Sequence, residues 1–145
     1  MTPDSIPSSR VRRIPAAEIR RLVAEALAAS AVPSAFDPSG LENAPSGLLR
    51  SLPSWVGRSG LLGRRDEFVL WCSPHPNSRE PESGQFILGV PSGRYFVEVF
   101  DPVASAWISR ESAAGGPLVA GLPFTGGPVF ARVRAAGNRD GPGGR

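Results

Sequence analysis

The spacing of apolar residues along the chain changes once, near its middle. In the first part, apolar residues recur three and four positions apart: Ile19, Leu22, Val23, Ala26 and Leu27. This spacing puts them on one face of an α-helix. Pro15 suits the first turn, because its missing N–H needs no partner there. The pattern predicts one amphipathic helix over residues 15–29, ending before Pro33.

After Phe68 the pattern becomes that of short strands. Apolar or alternating runs separated by Gly, Pro, Ser and Asn occur at 68–72, 85–90, 94–100, from Trp107, at 118–122 and at 129–133. No helical pattern lies between them, which favours antiparallel pairing over alternating strands and helices. The expected fold class is mainly β: an antiparallel β-sandwich of about six to eight strands preceded by one amphipathic helix.

The longest predicted strand lies in GRYFVEVF, from Gly93 to Phe100. Side chains of a strand alternate between its two faces, so Tyr95, Val97 and Val99 share one face and are predicted to point into the core. The other face carries Phe96 and Phe100 among charged residues. These two rings either pack under a loop, the helix or a neighbouring domain, or form a platform on which a sugar ring stacks. The candidate carbohydrate-binding residues are Trp71, Phe96, Phe100 and Trp107.

The distribution of proline and glycine suggests how the chain is organised. We expect a disordered leader at 1–13, a helix plus irregular wrap at 14–66, a β-sandwich domain at 67–134 and a disordered tail at 135–145. The wrap contains several prolines, and a short helix is expected around residues 47–52. No fixed-period repeat is present.

Composition and charge narrow the function classes. The chain has 145 residues with 17 Gly and 16 Pro, and its net charge is +3, from 16 basic residues, all of them Arg, and 13 acids. This modest charge does not predict a nucleic-acid partner. The lone Cys72 excludes an intrachain disulfide. No apolar run is long enough for a membrane span and no secretory signal is evident, so we expect no membrane partner and leave the localisation open.

The residues that usually carry catalysis are sparse. His75 is the only histidine, and a base three residues from Cys72 on a strand-to-turn segment rarely points at the thiol. A metal site would need further Cys or His ligands, and a serine triad would need a suitably placed histidine. Asp101, before Pro102, is predicted to hydrogen-bond nearby backbone in a turn. We therefore expect no enzyme, no catalytic residues, no cofactor and no metal.

Several motifs of the second half resemble a known family. They are Val90-Pro91-Ser92-Gly93-Arg94-Tyr95, Phe100-Asp101-Pro102, Trp107, Leu118 and Leu122-Pro123-Phe124 followed by Val129. Over Leu48 to Val133 the chain resembles the C-terminal β-sandwich accessory domain of bacterial cellulase-like glycoside hydrolases, a group that includes the module named for collagen binding in collagenase. The family often has an aromatic residue at the position of Val99 and a glycine near Ser105, and this chain departs at both.

The resemblance implies a non-catalytic accessory module, structural or weakly carbohydrate-binding. Its implied partners are a polysaccharide or a catalytic barrel domain. No barrel fits before Leu48, so hydrolase activity is not expected. Two alternatives stay open: a protein-interaction domain that docks a partner through helix 15–29, and a truncated fragment of a glycoside hydrolase without independent function. The sequence leaves the oligomeric state unknown.

Overall fold

The computed structural model describes residues 5–7, 11–29, 41–44, 47–64, 67–75 and 84–136. Helix α1 spans Ala16–Ala28. The described strands are β1 (Ser5–Pro7), β2 (Arg12–Arg13), β3 (Glu42–Asn43), β4 (Leu49–Pro53), β5 (Val56–Arg64), β6 (Glu67–Pro74), β7 (Gly84–Leu88), β8 (Arg94–Asp101), β9 (Ala106–Ala114), β10 (Leu118–Leu122) and β11 (Val129–Ala135).

These strands form two sheets. Sheet A has the order β1-β4-β7-β10, and sheet B has the order β2-β5-β6-β11-β8-β9, with β3 paired to β5. Neighbouring strands are antiparallel except β2 and β5, which are parallel. The predicted fold class, a mainly β structure with one helix, is confirmed.

The main core lies between the two sheets. Sheet A contributes Leu52, Phe86, Leu88, Leu118, Ala120 and Leu122, and sheet B contributes Phe68, Leu70, Cys72, Val97, Val99, Val129, Ala131 and Val133. The prediction for β8 is confirmed, because Tyr95, Val97 and Val99 all point into this core. The Tyr95 hydroxyl keeps a polar partner at the core boundary by donating to the Pro91 carbonyl oxygen at 3.0 Å.

A second core lies on the opposite face of sheet B, under α1. The helix buries Ile19, Val23 and Ala26, three of the residues predicted for its apolar face. Gly60 of β5 permits this close approach: a Cβ atom there would overlap Ile19 Cδ1 and lie 2.8 Å from the Ile14 carbonyl oxygen. Arg20 also ties the helix to the following segment, since its Nη1 donates to the Leu41 carbonyl oxygen at 2.7 Å.

The segment before Phe68 differs most from expectation. The irregular interpretation of 14–66 is wrong for 49–53 and 56–64, which are β4 and β5, and the short helix expected around 47–52 is not formed. The prediction of a disordered leader at 1–13 is wrong for 5–7 and 12–13, which pair with β4 and β5, and residues 1–4 and 8–10 lie outside the described residues. Strand β5 is difficult to predict from the sequence because it contains three glycines, and Gly within a strand usually indicates a turn or a bulge.

The turn after β8 follows the prediction. Asp101 Oδ1 accepts hydrogen bonds from the backbone N–H groups of Val103 at 2.9 Å and Ala104 at 3.3 Å. Ser105 in this turn has a φ of 57°, in the left-handed region that favours glycine. Of the expected tail, Ala135 is the last residue of β11, the Ala136 N–H donates to the Arg94 carbonyl oxygen at 2.8 Å, and 137–145 lie outside the described residues. No helix in the described part of the chain is long and apolar enough to cross a membrane.

Candidate functional site

The outer face of sheet B, turned away from sheet A, divides into two halves. Cross-strand pairing aligns Trp71, Phe130, Phe100 and Trp107 in one row across four strands. We call this row the covered half, because α1 packs over it. The next rows contain Glu67, Arg94, Phe96, Glu98, Arg110, Ser112, Arg132 and Arg134, which we call the open half.

Three of the four candidate carbohydrate-binding residues lie in the covered half. Phe100 is completely buried, Trp71 is 4% exposed, and Trp107 is partly buried. Their rings pack on one another and on Phe130: the centroids of Phe100 and Trp107 are 5.0 Å apart, and those of Trp71 and Phe130 are 5.9 Å apart. Carbohydrate binding by these residues stays a prediction, but Trp71 and Phe100 present no ring face on which a sugar could stack.

Phe96, the fourth candidate residue, lies in the open half and is 39% exposed. It lies on the same strand and the same face as Phe100, four residues earlier, beyond the area that α1 covers. The guanidinium of Arg134, directly opposite on β11, lies over the Phe96 ring at 5.6 Å from its centroid, a cation–π geometry. The structure thus separates Phe96 from the three aromatic residues with which it was grouped.

A chain of ion pairs crosses the open half beside Phe96. Arg110 donates from Nε and Nη2 to Glu98 Oε2 at 3.1 and 2.8 Å. Arg132 donates from Nε to Glu67 Oε2 at 2.8 Å and lies 3.8 Å from Glu98 Oε1. Glu98 is nearly buried. Burying its carboxylate would be costly without the arginines that lie on both sides of it. These four side chains hold the strands of the open half together where no helix covers them.

A shallow depression lies where β8 begins and β9 ends. It has a volume of about 390 Å³ and is lined by Gly93, Arg94, Ser112, Ala113 and Ala114. Ser112 pairs directly with Phe96 across β8 and β9. The exposed Phe96 ring and a concavity lined in part by a serine and an arginine therefore lie on adjacent strands. This arrangement suits a ligand with both an apolar surface and polar groups.

The remaining candidates for chemistry do not form a reactive group. Burial between the sheets raises the pKa of the Cys72 thiol, which disfavours the nucleophilic thiolate. His75 directly follows β6, and its backbone N–H donates to the Trp55 carbonyl oxygen at 3.2 Å. In the part of the chain that the structure describes, no three His, Cys, Asp or Glu residues cluster in a way that could hold a metal ion.

A second groove runs between the edge strands β9 and β10. It is lined by Gly84, Ile108, Ser109, Glu111, Gly121, Leu122 and Pro123. Glu111 Oε2 accepts a hydrogen bond from the backbone N–H of Gly121 at 3.2 Å. The carboxylate therefore accepts a hydrogen bond from a backbone N–H group that an added strand would otherwise use. This contact disfavours pairing of another strand with the edge of sheet A.

Sequence reasoning did not identify Arg132 and Arg134 as parts of a site. A usable signal was present in VFARVRA, where the two arginines are two residues apart and so share one face of the strand. Which face this was, and that it would lie opposite Phe96 and Glu98, depended on the pairing of β11 with β8.

Comparisons of the chain with protein-family models, with curated proteins and with solved structures found no match.

Proposed function

We propose that the protein is a non-catalytic β-sandwich module that binds a polysaccharide on the open half of sheet B. The observation that carries this proposal is the exposed ring of Phe96, whose cross-strand neighbour Ser112 lines a depression together with Arg94. The C–H face of a sugar stacks against an aromatic ring, while its hydroxyl groups need polar partners close by. Relationship to the accessory domains of glycoside hydrolases rests on the sequence motifs alone.

A non-catalytic role is consistent with how the ionisable groups are used. The carboxylates of Glu67 and Glu98 are engaged by Arg110 and Arg132. A glycosidase needs two carboxyl groups that face each other across a bound sugar, one of them able to donate a proton. Carboxylates held in ion pairs within a sheet are poorly suited to that task.

The alternative of docking a partner through helix 15–29 receives less support. The apolar face of α1, which such a partner would need, is packed against sheet B through Ile19, Val23 and Ala26. The other side of the helix presents exposed residues such as Arg21 and Glu25, which pair with each other at 3.3 Å. The alternative of a fragment without independent function stays open.

A binding screen tests the proposal. The purified protein is mixed with insoluble cellulose, xylan and chitin and with immobilised neutral and acidic soluble polysaccharides, and the bound fraction is measured at increasing protein concentration. We expect saturable binding to at least one polysaccharide and a loss of about tenfold or more in affinity for Phe96→Ala. The control is Val119→Ala, which removes another exposed apolar side chain, on sheet A. Absence of binding by the folded protein, or equal losses in both variants, would contradict the proposal.

A further inference from the structure

The charges of the open half do not balance. The arginines Arg94, Arg110, Arg132 and Arg134 share this face with the carboxylates of Glu67 and Glu98. Since the four arginines outnumber the two carboxylates, this face has a net positive charge, which attracts an anionic ligand. The net charge of the whole chain, only +3, gives no hint of this local concentration.

Arg134 is the arginine of this face that lies against the exposed Phe96 ring. Arg110 and Arg132 already contact carboxylates. Arg134 has no carboxylate partner among the described residues, and its buried Nε has no hydrogen-bond acceptor there. The ring of Phe96 is the contact that positions its guanidinium. Glu67, directly opposite Arg134 on β6, pairs with Arg132 instead. The charge of Arg134 is therefore held beside the exposed ring without an ion pair to a described residue.

The position of this charge within the sheet indicates what kind of anion fits. Strands β8 and β11 are interior strands with neighbours on both sides. Their backbone groups are used within the sheet, so an extended peptide cannot add to them as a strand. A ligand here is held by side chains alone, through a surface that stacks on Phe96 and an anionic group that pairs with a guanidinium. A sugar ring that bears a carboxylate offers both.

We propose that the open half binds an acidic polysaccharide built of sugar acids, with a carboxylate paired to Arg134 and the sugar ring against Phe96. The guanidinium can form two parallel hydrogen bonds to a carboxylate, which fixes the orientation of the ring. Arg94, at the rim of the depression, is placed to meet the next acidic unit of the polymer. This inference rests on the proposed function and adds that the polysaccharide is anionic.

The test compares four polymers under identical conditions: polygalacturonate, dextran, dextran sulfate and polyglutamate. Binding of the wild-type protein is measured by titration calorimetry at low and at physiological salt. We expect polygalacturonate to bind most tightly and to weaken as salt screens the charges. Arg134→Gln should lower this affinity by about tenfold or more. The matched control Arg50→Gln removes the same charge from an exposed residue of sheet A and should change the affinity less than about twofold.

The other outcomes separate the two proposals. Binding of dextran that depends on Phe96 and not on Arg134 would overturn the acidic ligand and leave the proposed function standing. Tighter binding of dextran sulfate would overturn the choice of a carboxylate, and tighter binding of polyglutamate would indicate an acidic protein partner instead. Equal losses for Arg134→Gln and Arg50→Gln would show attraction to net charge without a site. No binding to any polymer would contradict both proposals.

Discussion

The covered and the open halves of sheet B are built on the same strands and are held together by different forces. In the covered half, Trp71, Phe100 and Phe130 exclude water beneath α1. In the open half, the same strands carry Glu98, Arg132 and Arg134, and the ion pairs of Glu98 and Arg132 link neighbouring strands. Hydrophobic burial is the larger stabilising term, and the ion pairs contribute less. Side chains of the open half can therefore be used for binding a ligand with little loss in the free energy of unfolding.

Phe100 and Phe96 give the sharpest test of this difference, because they share a strand, a face and a side-chain type. Phe100→Ala leaves a cavity in the covered half and should lower the free energy of unfolding by about 4 kcal/mol. Phe96→Ala removes a ring that is already partly in water and should cost about 1 kcal/mol. Urea unfolding followed by circular dichroism measures both values. Losses within 1 kcal/mol of each other would mean that the halves do not differ in this way.

The close contact between α1 and β5 can be broken from the strand side. Gly60→Ala places a methyl group against Ile19 and the Ile14 carbonyl oxygen, so we expect α1 to shift and the free energy of unfolding to fall by about 2 kcal/mol. The control is Gly121→Ala, where the nearest atom to the added Cβ is Glu111 Oε2 at 3.9 Å, and the expected change is within about 0.5 kcal/mol. Thermal unfolding of both variants measures the difference, and a neutral Gly60→Ala would show that the helix is not tightly docked.

The sequence predicted the parts of this fold in which periodicity and composition agree. Helix α1 was found because its apolar residues follow the helical period, and β10 was predicted with its observed bounds because glycine and proline flank an apolar run. Strand β5 was missed because a glycine that makes room for a neighbour looks the same in a sequence as a glycine that makes a turn. The role of Gly60 is recognisable only when the position of Ile19 above it is known.

The candidate site was less accessible to sequence reasoning than the fold. Alternation on β8 correctly put Phe96 and Phe100 on one face, away from the main core. It could not show that the helix covers one ring and stops before the other, because that depends on where α1 docks on the sheet. The partnership of Phe96 with Arg134 depends in the same way on a long-range register.

The ion pairs of the open half should matter less than the covered core and more than ion pairs on the helix surface. Glu98→Gln removes a nearly buried carboxylate from between Arg110 and Arg132, and we expect the free energy of unfolding to fall by about 1.5 kcal/mol. The control Glu25→Gln breaks the exposed pair with Arg21 on α1 and should cost at most about 0.5 kcal/mol. Urea unfolding at low and high salt measures both, and equal small losses would mean that Glu98 is not a structural partner.

Arg134 should affect stability less than the ion-paired residues of the open half. It forms no ion pair with a described residue, so Arg134→Gln loses chiefly the contact with the Phe96 ring. We expect the free energy of unfolding to fall by about 0.5 to 1 kcal/mol, the size of a cation–π contact that is not fully buried. Arg132→Gln, two residues earlier on the same face, should cost about 2 kcal/mol, because it leaves the partly buried Glu67 and Glu98 without this cation. If Arg134→Gln proved as destabilising as Arg132→Gln, both arginines would be structural and the open half would lose its uncommitted charge. A stable Arg134→Gln protein that no longer binds an acidic polysaccharide would instead separate the residue that binds from the residues that hold the sheet.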